Sequence, residues 1–580
     1  MAAIGRRDFI RTGLVGGAGA AMLGVGGCAP DGPGAAGTGV DESTPRAGAS
    51  GELPWSVPDF TLEEITIDGV AQALAAGTYS CREITEMYLA RIEALDRQGP
   101  RLFAVLETNP DALEIADALD AELRERGPRG PLHGVPILLK DNIDTADGMT
   151  TTAGSTALRG SIAPTDAHIA AKLRDAGAIL LAKANMSEWA GFKSFVRGTS
   201  GWSGRGWDGG NGGLCGNPYA LDRSPGGSSS GPGAGCAANL ATAAIGTETD
   251  GSIVGPSSRN CLVGLKPTLG LMSRGGVIPI AHSQDSAGPM ARTVRDVAIL
   301  LGAMTGPDPR DPASQEAVAL THADYTTFLD PAGLRGARIG VARGYMGFDD
   351  RVDALFEEAL DAMRSEGATI VDPIILPEQL RFGNDFEMEV LYHEFKADLN
   401  AYLQNLGPDA PVRSLADVIA YNERNPHLEL SLFPHDLLTE AQSRGPLTDA
   451  RYRNALLNSR RYARELGIDR VMDEQRLDAI VGATSGIPEL ADYTGATAGT
   501  GGGCSTPSAM AGYPNLTVPM GFLFGLPVGL SMFGRAWSEP MLLRLAYAFE
   551  QATRHRRAPR FLPTGEATVP RPAASGVPAA

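Results

Sequence analysis

Two short, fully apolar runs constrain the fold of this chain more than any other feature. "GVPILLK" ends at Lys140 and "AILLAK" ends at Lys183, and a helical pattern, "AHIAAKLRDAG", lies between them. Runs that are apolar at every position are typical of strands buried on both faces of a sheet. A strand, a helix and a second strand in succession favour a layered α/β architecture. We therefore expect a single large α/β domain whose mixed, mostly buried central sheet is covered by helices on both faces.

Helical patterns extend this domain over residues 55–565. Ser80 and Glu83 form a capping box at the start of "SCREITEMYLARIEALD", which predicts a helix there. "EPMLLRLAYAFEQATRHRR" predicts a C-terminal helix that ends in basic residues, which suit the negative end of a helix dipole. Residues of about 380–450 place Asn, His and acidic residues between helical runs. We predict that they form a helical insertion near the functional site.

The first 54 residues are expected to lie outside the domain. Arg6-Arg7 precede a Gly/Ala-rich run that ends in "VGGC" at Cys28, which is typical of a twin-arginine export signal over 1–28 with a lipobox-like end. Lipidation of Cys28 would anchor the chain, and simple cleavage of the signal is the alternative. Residues 29–54 have the composition of a flexible tether, and 566–580 are predicted to be a disordered tail. The chain is thus predicted to be periplasmic or at the cell surface.

Charge and cysteine spacing exclude several classes of function. The formal net charge is −18, which argues against nucleic acid as a partner. The cysteines after Cys28 show no metal-ligand spacing, so no metal site is predicted. They are Cys81, Cys215, Cys236, Cys261 and Cys504. Because five is an odd number, at least one of them is expected to be a free thiol.

Residues 224–235, "SPGGSSSGPGAG", hold three serines in a glycine frame. "GSSSG" matches the G-x-S-x-G of a nucleophile elbow, with Ser229 at its centre. That elbow needs a preceding strand, whereas the turn-forming "NPYALDRSPG" stands there. Ser229 and Ser230 are therefore interpreted as hydrogen-bonding loop residues.

Two further stretches, taken with the serine run, resemble the amidase signature family. One is "HGVPILLKDNIDT", which holds Lys140, and the other is "AIGTETDGSIVGPSS", which holds Ser252. The resemblance covers nearly the whole folded part and includes "SQDSAGPMARTVRDVA" and "AGYPNLTVPMGF". "TETDGSI" and "SRGGVIPI" look most like the peptide amidase branch. The resemblance implies the fold expected above, amide hydrolysis and no cofactor.

The resemblance also implies a Ser–cis-Ser–Lys triad. Ser252 falls on the nucleophile, Ser228 on the relay after a cis bond from Gly227, and Lys140 on the base. Burial among apolar neighbours would lower the pKa of Lys140 and favour its neutral form. The oxyanion hole falls on backbone N–H groups of Thr249, Asp250, Gly251 and Ser252. Asp250 departs from the family, which usually has glycine there. Three residues of the matching stretches are interpreted as structural: Ser155, Asp285 and Arg292.

The expected function is therefore that of an exported serine amidase that hydrolyses linear amides through an acyl-enzyme. C-terminal peptide amides are the expected substrates. An amidase for other small aliphatic or aryl amides is one alternative, and a catalytically silent peptide-binding surface lipoprotein is another. The only partner expected besides the amide substrate is the membrane, through the N-terminal lipid or signal.

Overall fold

The computed structural model describes residues 53–195, 200–208, 213–491, 493 and 502–566. The described residues from Leu53 onward belong to one compact unit. The predicted export signal with Cys28 lies outside the described residues, as do nearly all of the predicted tether and of the predicted tail.

An 11-stranded mixed sheet forms the centre of the molecule. Its strands are β1 (Val105–Thr108), β2 (Pro136–Lys140), β3 (Ile179–Ala184), β4 (Ala243–Glu248), β5 (Val263–Lys266), β6 (Ser286–Ala291), β7 (Arg338–Val341), β8 (Thr369–Val371), β9 (Ala479–Ala483), β10 (Asn515–Leu523) and β11 (Leu526–Phe533). Their order across the sheet is β1-β3-β2-β4-β6-β5-β10-β11-β9-β7-β8. β2 runs parallel to β3 and β4, and β7 runs parallel to β8 and β9. The other pairings are antiparallel.

The two apolar runs form adjacent strands of this sheet. Every residue of β2, β3 and β4 is buried, so both faces of the sheet are covered there. The predicted α/β class and the predicted buried strands are confirmed.

Eighteen α-helices surround this sheet in the described part of the chain. They are α1 (Ile67–Ala75), α2 (Cys81–Ile92), α3 (Ala112–Arg126), α4 (His168–Asp175), α5 (Gly204–Gly206), α6 (Ser230–Ala237), α7 (Val254–Arg259), α8 (Val294–Met304), α9 (Pro312–Glu316), α10 (Asp350–Ser365), α11 (Asp385–Asn405), α12 (Leu415–Arg424), α13 (Pro426–Glu429), α14 (Asp436–Gln442), α15 (Ala450–Ala463), α16 (Asp469–Gln475), α17 (Thr506–Ala511) and α18 (Glu539–Thr553). Among the described residues, no helix is long and apolar enough to cross a membrane.

Two predicted helix boundaries can be compared with the structure. The capping box at the start of α2 is present, with both Ser80 and Glu83 bonded to the backbone. The prediction that the C-terminal helix ends in basic residues is wrong, because α18 stops at Thr553 and Arg554 adopts a left-handed backbone conformation. The basic run continues as a loop in which Arg556 bonds to Glu64 at 2.7 Å and to backbone carbonyls.

The stretch 380–450 contains helices α11 to α14. Leu391 and Phe395 of α11 share an apolar cluster with Trp189 and Ile280 from the main domain. This contact places α11 next to segments that lead to the site described below. The cysteines Cys81, Cys215, Cys236, Cys261 and Cys504, which are the described ones, are all buried and unpaired.

Candidate active site

The carboxyl ends of two parallel strands place the predicted site residues at one edge of the sheet. Lys140 is the last residue of β2, and the neighbouring strand β4 ends at Glu248. A loop of residues 249–253, here called the nucleophile loop after its predicted nucleophile Ser252, then leads into α7. Sites in α/β sheets commonly form at such carboxyl ends.

Lys140 is fully buried and directly bonded to Ser228. Its Nζ donates to Ser228 Oγ at 2.7 Å, and to the hydroxyl and the carbonyl of Thr247 at 2.9 and 3.1 Å. Burial lowers the pKa of Lys140 from 10.5 to about 7, although the charges of Asp285 and Glu248 oppose this. A substantial fraction of Lys140 is therefore neutral near pH 7 and able to accept a proton. Thr247 was not predicted to take part.

The serine run is shaped so that Ser228 faces Lys140. The peptide bond between Gly227 and Ser228 is cis, as the resemblance implies. A Cβ at Gly227 would collide with Ser187 Oγ, so only glycine fits there. The Ser187 N–H donates to the Ser228 carbonyl at 3.1 Å. These contacts hold the serine run against Ser187.

The next two serines of the run have bonds within the fold. Ser229 Oγ donates to the Thr247 carbonyl at 3.1 Å, and Ser230 Oγ donates to the Gly226 carbonyl at 2.6 Å. Ser229 is completely buried. Both residues thus act as hydrogen-bonding residues within the fold, but Ser230 is the first residue of α6 and not a loop residue. Ser229 does not lie at an exposed elbow.

Ser252 lies half-buried in the nucleophile loop. The Ser229 N–H donates to the Ser252 carbonyl at 3.2 Å, which joins this loop to the serine run. The hydroxyls of Ser228 and Ser252 share no hydrogen bond among the described residues. The structure thus brings Lys140 and Ser228 into direct contact and brings Ser252 next to them through the backbone.

The nucleophile loop presents free backbone donors. In the described part of the chain, no N–H of residues 249–252 donates to an acceptor. Gly251 has a φ of +81°, a conformation that favours glycine. Glu248 Oε2 accepts the N–H groups of Ile253 and Val254 at 2.6 and 2.9 Å. The N–H groups predicted to form the oxyanion hole therefore have no acceptor among the described residues. The N–H groups of Ile253 and Val254, at the start of α7, are bonded to Glu248.

Three further side chains form hydrogen bonds with residues of this loop. Asp285 Oδ1 accepts the hydroxyl of Thr249 at 2.6 Å. Gln284 Nε2 donates to the Thr249 carbonyl at 3.3 Å. Thr506 Oγ1 donates to Asp250 Oδ2 at 2.7 Å. Asp285 has the structural role predicted for it, whereas Gln284 and Thr506 were not predicted.

The two other residues interpreted as structural also bond within the fold. Ser155 Oγ accepts the Ala157 N–H at 3.3 Å and lies 3.4 Å from a carboxylate oxygen of Glu429. Arg292 donates to the backbone carbonyls of Cys236 and Ala241.

A cavity of about 260 Å³ opens beside Ser187, whose backbone contacts Ser228. Phe195 and Phe382 stand at its mouth, half or more exposed, with ring centroids 5.7 Å apart. The other side chains in its wall are Glu188, Lys193, Ser194, Ser200, Trp202 and Phe433. The aromatic residues make this cavity suited to an apolar side chain.

His282, Glu394 and Asp398 are the described side chains whose geometry could hold a metal ion. His282 Nδ1 lies 2.8 Å from Asp398 Oδ2. Glu394 accepts the hydroxyl of Tyr452 at 2.6 Å and the Ser283 N–H at 2.9 Å. These bonds explain why the three side chains lie together: the histidine pairs with two carboxylates.

Comparison with known proteins identifies the family. The family described as Amidase matches residues 83–543. The chain belongs to the amidase family. A probable amidase of Arabidopsis thaliana is 40% identical over 511 residues, which are 87% of this amidase and 93% of that protein.

Solved structures agree with this assignment. The peptide amidase PAM, bound to the competitive inhibitor chymostatin, is 48% identical with a TM-score of 0.82 and covers 86% of this amidase and 100% of its own chain. Native peptide amidase from Stenotrophomonas maltophilia is 47% identical with a TM-score of 0.80, covering 87% and 100%. The amidase is thus an amidohydrolase with the amidase signature fold, and its substrates are small-molecule or peptide amides.

Proposed function

We propose that the amidase uses Ser252 as nucleophile, Ser228 as proton relay and Lys140 as base. The observation that carries this assignment is the 2.7 Å bond from Lys140 Nζ to Ser228 Oγ. Burial brings the pKa of this lysine to about 7, near the value that suits a general base at neutral pH.

The reaction then proceeds in two steps. Ser252 Oγ attacks the amide carbonyl carbon, and its proton passes through Ser228 to neutral Lys140. The C–N bond breaks when this proton returns through Ser228 to the leaving nitrogen, which departs as ammonia. Water next attacks the acyl-enzyme, loses its proton to the same relay and releases the carboxylic acid and Ser252.

The open N–H groups of residues 249–252 supply the oxyanion hole in this mechanism. Each donor aimed at the developing negative charge contributes typically about 2.7–4 kcal/mol to transition-state stabilisation. The left-handed conformation of Gly251 allows consecutive amides to converge where an α-helix would not.

We further propose that the substrates are C-terminal amides of peptides. The aromatic cavity next to Ser187 offers a place for a peptide side chain close to Ser228. The similarity to two structures named as peptide amidase supports this choice over other aliphatic or aryl amides.

Ammonia release from an N-acetylated dipeptide amide tests the catalytic assignment. Ser252→Ala should lower kcat by at least about 10³-fold, whereas Ser230→Ala, a matched change in the same serine-rich region, should keep most of the activity. A fluorophosphonate probe should label the wild type and not Ser252→Ala. An active Ser252→Ala enzyme would refute the mechanism, and absence of both turnover and labelling in the wild type would favour a silent binding protein.

A substrate panel tests the choice of substrate. Peptide amides should be turned over with a higher kcat/KM than acetamide or acetanilide. Phe382→Ala should raise KM for a phenylalanyl peptide amide by about 2- to 12-fold, the range of one lost aromatic contact, and leave acetamide unchanged. Equal effects on both substrates would contradict a side-chain role for the cavity.

We also propose export by the twin-arginine route and a lipid anchor on Cys28. Arg6-Arg7 and "VGGC" support this proposal. Replacing Arg6 and Arg7 with lysine should retain the protein inside the cell, and Cys28→Ala should move it from the membrane fraction to the soluble exported fraction. Unchanged fractionation of either variant would contradict the corresponding step.

A further inference from the structure

We propose that Glu387 of α11 is a positioning residue that holds the nucleophile loop through a carboxylic acid–carboxylate hydrogen bond to Asp250. The inference rests on the proposed role of Ser252, because Asp250 lies two residues before it. It assigns to the helical insertion a part in the geometry of catalysis.

The bonds around Asp250 leave one acceptor open. Its Oδ2 accepts the hydroxyl of Thr506 at 2.7 Å. Its Oδ1 is buried and has no donor among the described residues. A buried carboxylate oxygen without a donor is costly. Besides Thr506, the side chains of Ser505 and Glu387 are in hydrogen-bond contact with Asp250, and a protonated Glu387 carboxyl would offer this oxygen a donor.

Glu387 itself lies in an environment that favours the protonated form. It is fully buried, and the N–H donors to it from the described residues are the Gln284 amide at 3.3 Å and the Gly383 backbone at 3.1 Å. Burial and the charge of Asp250 hold the pKa of Glu387 well above its ordinary value. Two carboxyl groups in contact do not both ionise readily, so Glu387 keeps the shared proton.

Asp250 is the better site for the negative charge. Burial raises its pKa, but hydrogen bonds from Ser505, Thr506 and Glu387 act in the opposite direction. Other titratable groups also face Asp250: Lys266 of β5, Glu248 at the end of β4, Tyr345 and Cys504. Lys266 is the cation among them, and its charge favours an ionised Asp250.

Gln284 extends the support to a second point of the loop. Its Nε2 donates both to Glu387 Oε1 and to the Thr249 carbonyl, each at 3.3 Å. Glu387 therefore reaches residues 249 and 250 together, which precede Gly251 and Ser252. Losing this support would let the oxyanion donors shift, and small displacements in an active site can cost about 10²-fold in rate.

The kcat and KM values of the full chain, measured against pH with the same dipeptide amide, test the proposal. Glu387→Ala should lower kcat by about 10- to 100-fold with little change in KM. Glu387→Gln keeps an N–H donor to Asp250 and should stay within about threefold of the wild type at pH 7.

The alkaline side of the pH profile separates positioning from mere stability. Wild-type kcat should fall when Glu387 loses its proton, because two adjacent carboxylates then repel each other. Glu387→Gln should lack this fall, since its donor does not titrate in that range. Asp250→Asn should also lack it, because the new amide donates to an ionised Glu387. The rise on the acid side should be the same in all three enzymes.

Glu389→Gln is a matched control on the same helix. Glu389 pairs with His393 and Arg451, at 3.0 and 2.7 Å, and its change should leave the alkaline fall in place. A Glu387→Gln profile that superimposes on the wild type would overturn the proposal even if Glu387→Ala fails to fold. An active Ser252→Ala enzyme would instead overturn the proposed function, so the two failures are distinguishable.

Discussion

Replacing Lys140 with methionine should abolish activity and, at the same time, remove a pH-dependent destabilisation of the fold. Methionine fills nearly the same volume without a charge. Because Lys140 supplies the base, kcat should fall by at least about 10³-fold. In the wild type, kcat/KM should rise about fivefold from pH 6 to pH 7 and level off above pH 8, as Lys140 becomes neutral with a pKa of about 7.

The effect on stability follows from proton binding in the two states. Between pH 7 and 10.5 the unfolded chain holds a proton on Lys140 and the folded chain does not, so the free energy of unfolding rises with pH in this window. Lowering the pKa from 10.5 to about 7 corresponds to about 5 kcal/mol of destabilisation, fully present below pH 7. From pH 7 to pH 9 the wild type should gain about 2 kcal/mol relative to Lys140→Met.

Thermal unfolding measures this difference directly. For a domain of about 500 residues the unfolding entropy is about 1 kcal/mol/K, so the gain corresponds to about 2–3 °C in Tm. The Lys140→Met variant also loses the bonds to Ser228 and Thr247. That loss shifts its whole curve of Tm against pH by a constant amount relative to the wild-type curve. Parallel curves of Tm against pH for the two proteins would refute the reasoning.

Lys183 offers a matched comparison for the loss of activity. It ends the apolar run of the neighbouring strand β3, is fully buried, and donates to the Ile143 carbonyl and to Thr151 at 2.7 Å. Burial also lowers its pKa. The Tm of the wild type should therefore also rise with pH relative to that of Lys183→Met. The folded Lys183→Met enzyme should keep its activity. Equal loss of activity in both variants would remove the special role of Lys140.

Two further predictions concern the loop and its surroundings. Gly251→Ala should lower both kcat and stability, the latter by about 1–2 kcal/mol, because Gly251 has a φ of +81° and a Cβ would come within 3.1 Å of Ser505 Oγ; unchanged kinetics and Tm would contradict this. The pKa of His282 is raised by Asp398 and Glu394 although burial acts in the other direction. The extra stability of the wild type over His282→Gln should be fully present below pH 6.5 and be lost as the pH rises through the raised pKa; a Tm difference that grows with pH would contradict this.

The sequence predicted the elements whose signal is local. The apolar runs ending at Lys140 and Lys183 predicted buried strands, and Ser80 with Glu83 predicted a helix start, because each pattern depends on neighbouring residues alone. The end of α18 was missed because Arg556 is drawn into a tertiary contact with Glu64, which outweighs its preference for a helix terminus. Thr247 had a partial signal, since it stands five residues before Ser252 in the quoted motif.

The residues that support the nucleophile loop had no such signal, and the reason explains the aspartate at position 250. Glycine is usual there, and an aspartate in isolation would bring a buried charge next to the oxyanion it should help to form. The contacts with Thr506 and Glu387 come from segments far apart in sequence, and only the folded chain brings them together. An aspartate is tolerated because these donors share its charge, so removing the side chain of Asp250 should be tolerated better when the carboxyl group of Glu387 is removed with it. Asp250→Gly alone should leave Glu387 buried without its partner, and Asp250→Gly with Glu387→Leu should recover Tm relative to Asp250→Gly. A double variant no more stable than the single one would show that the two carboxyl groups are independent.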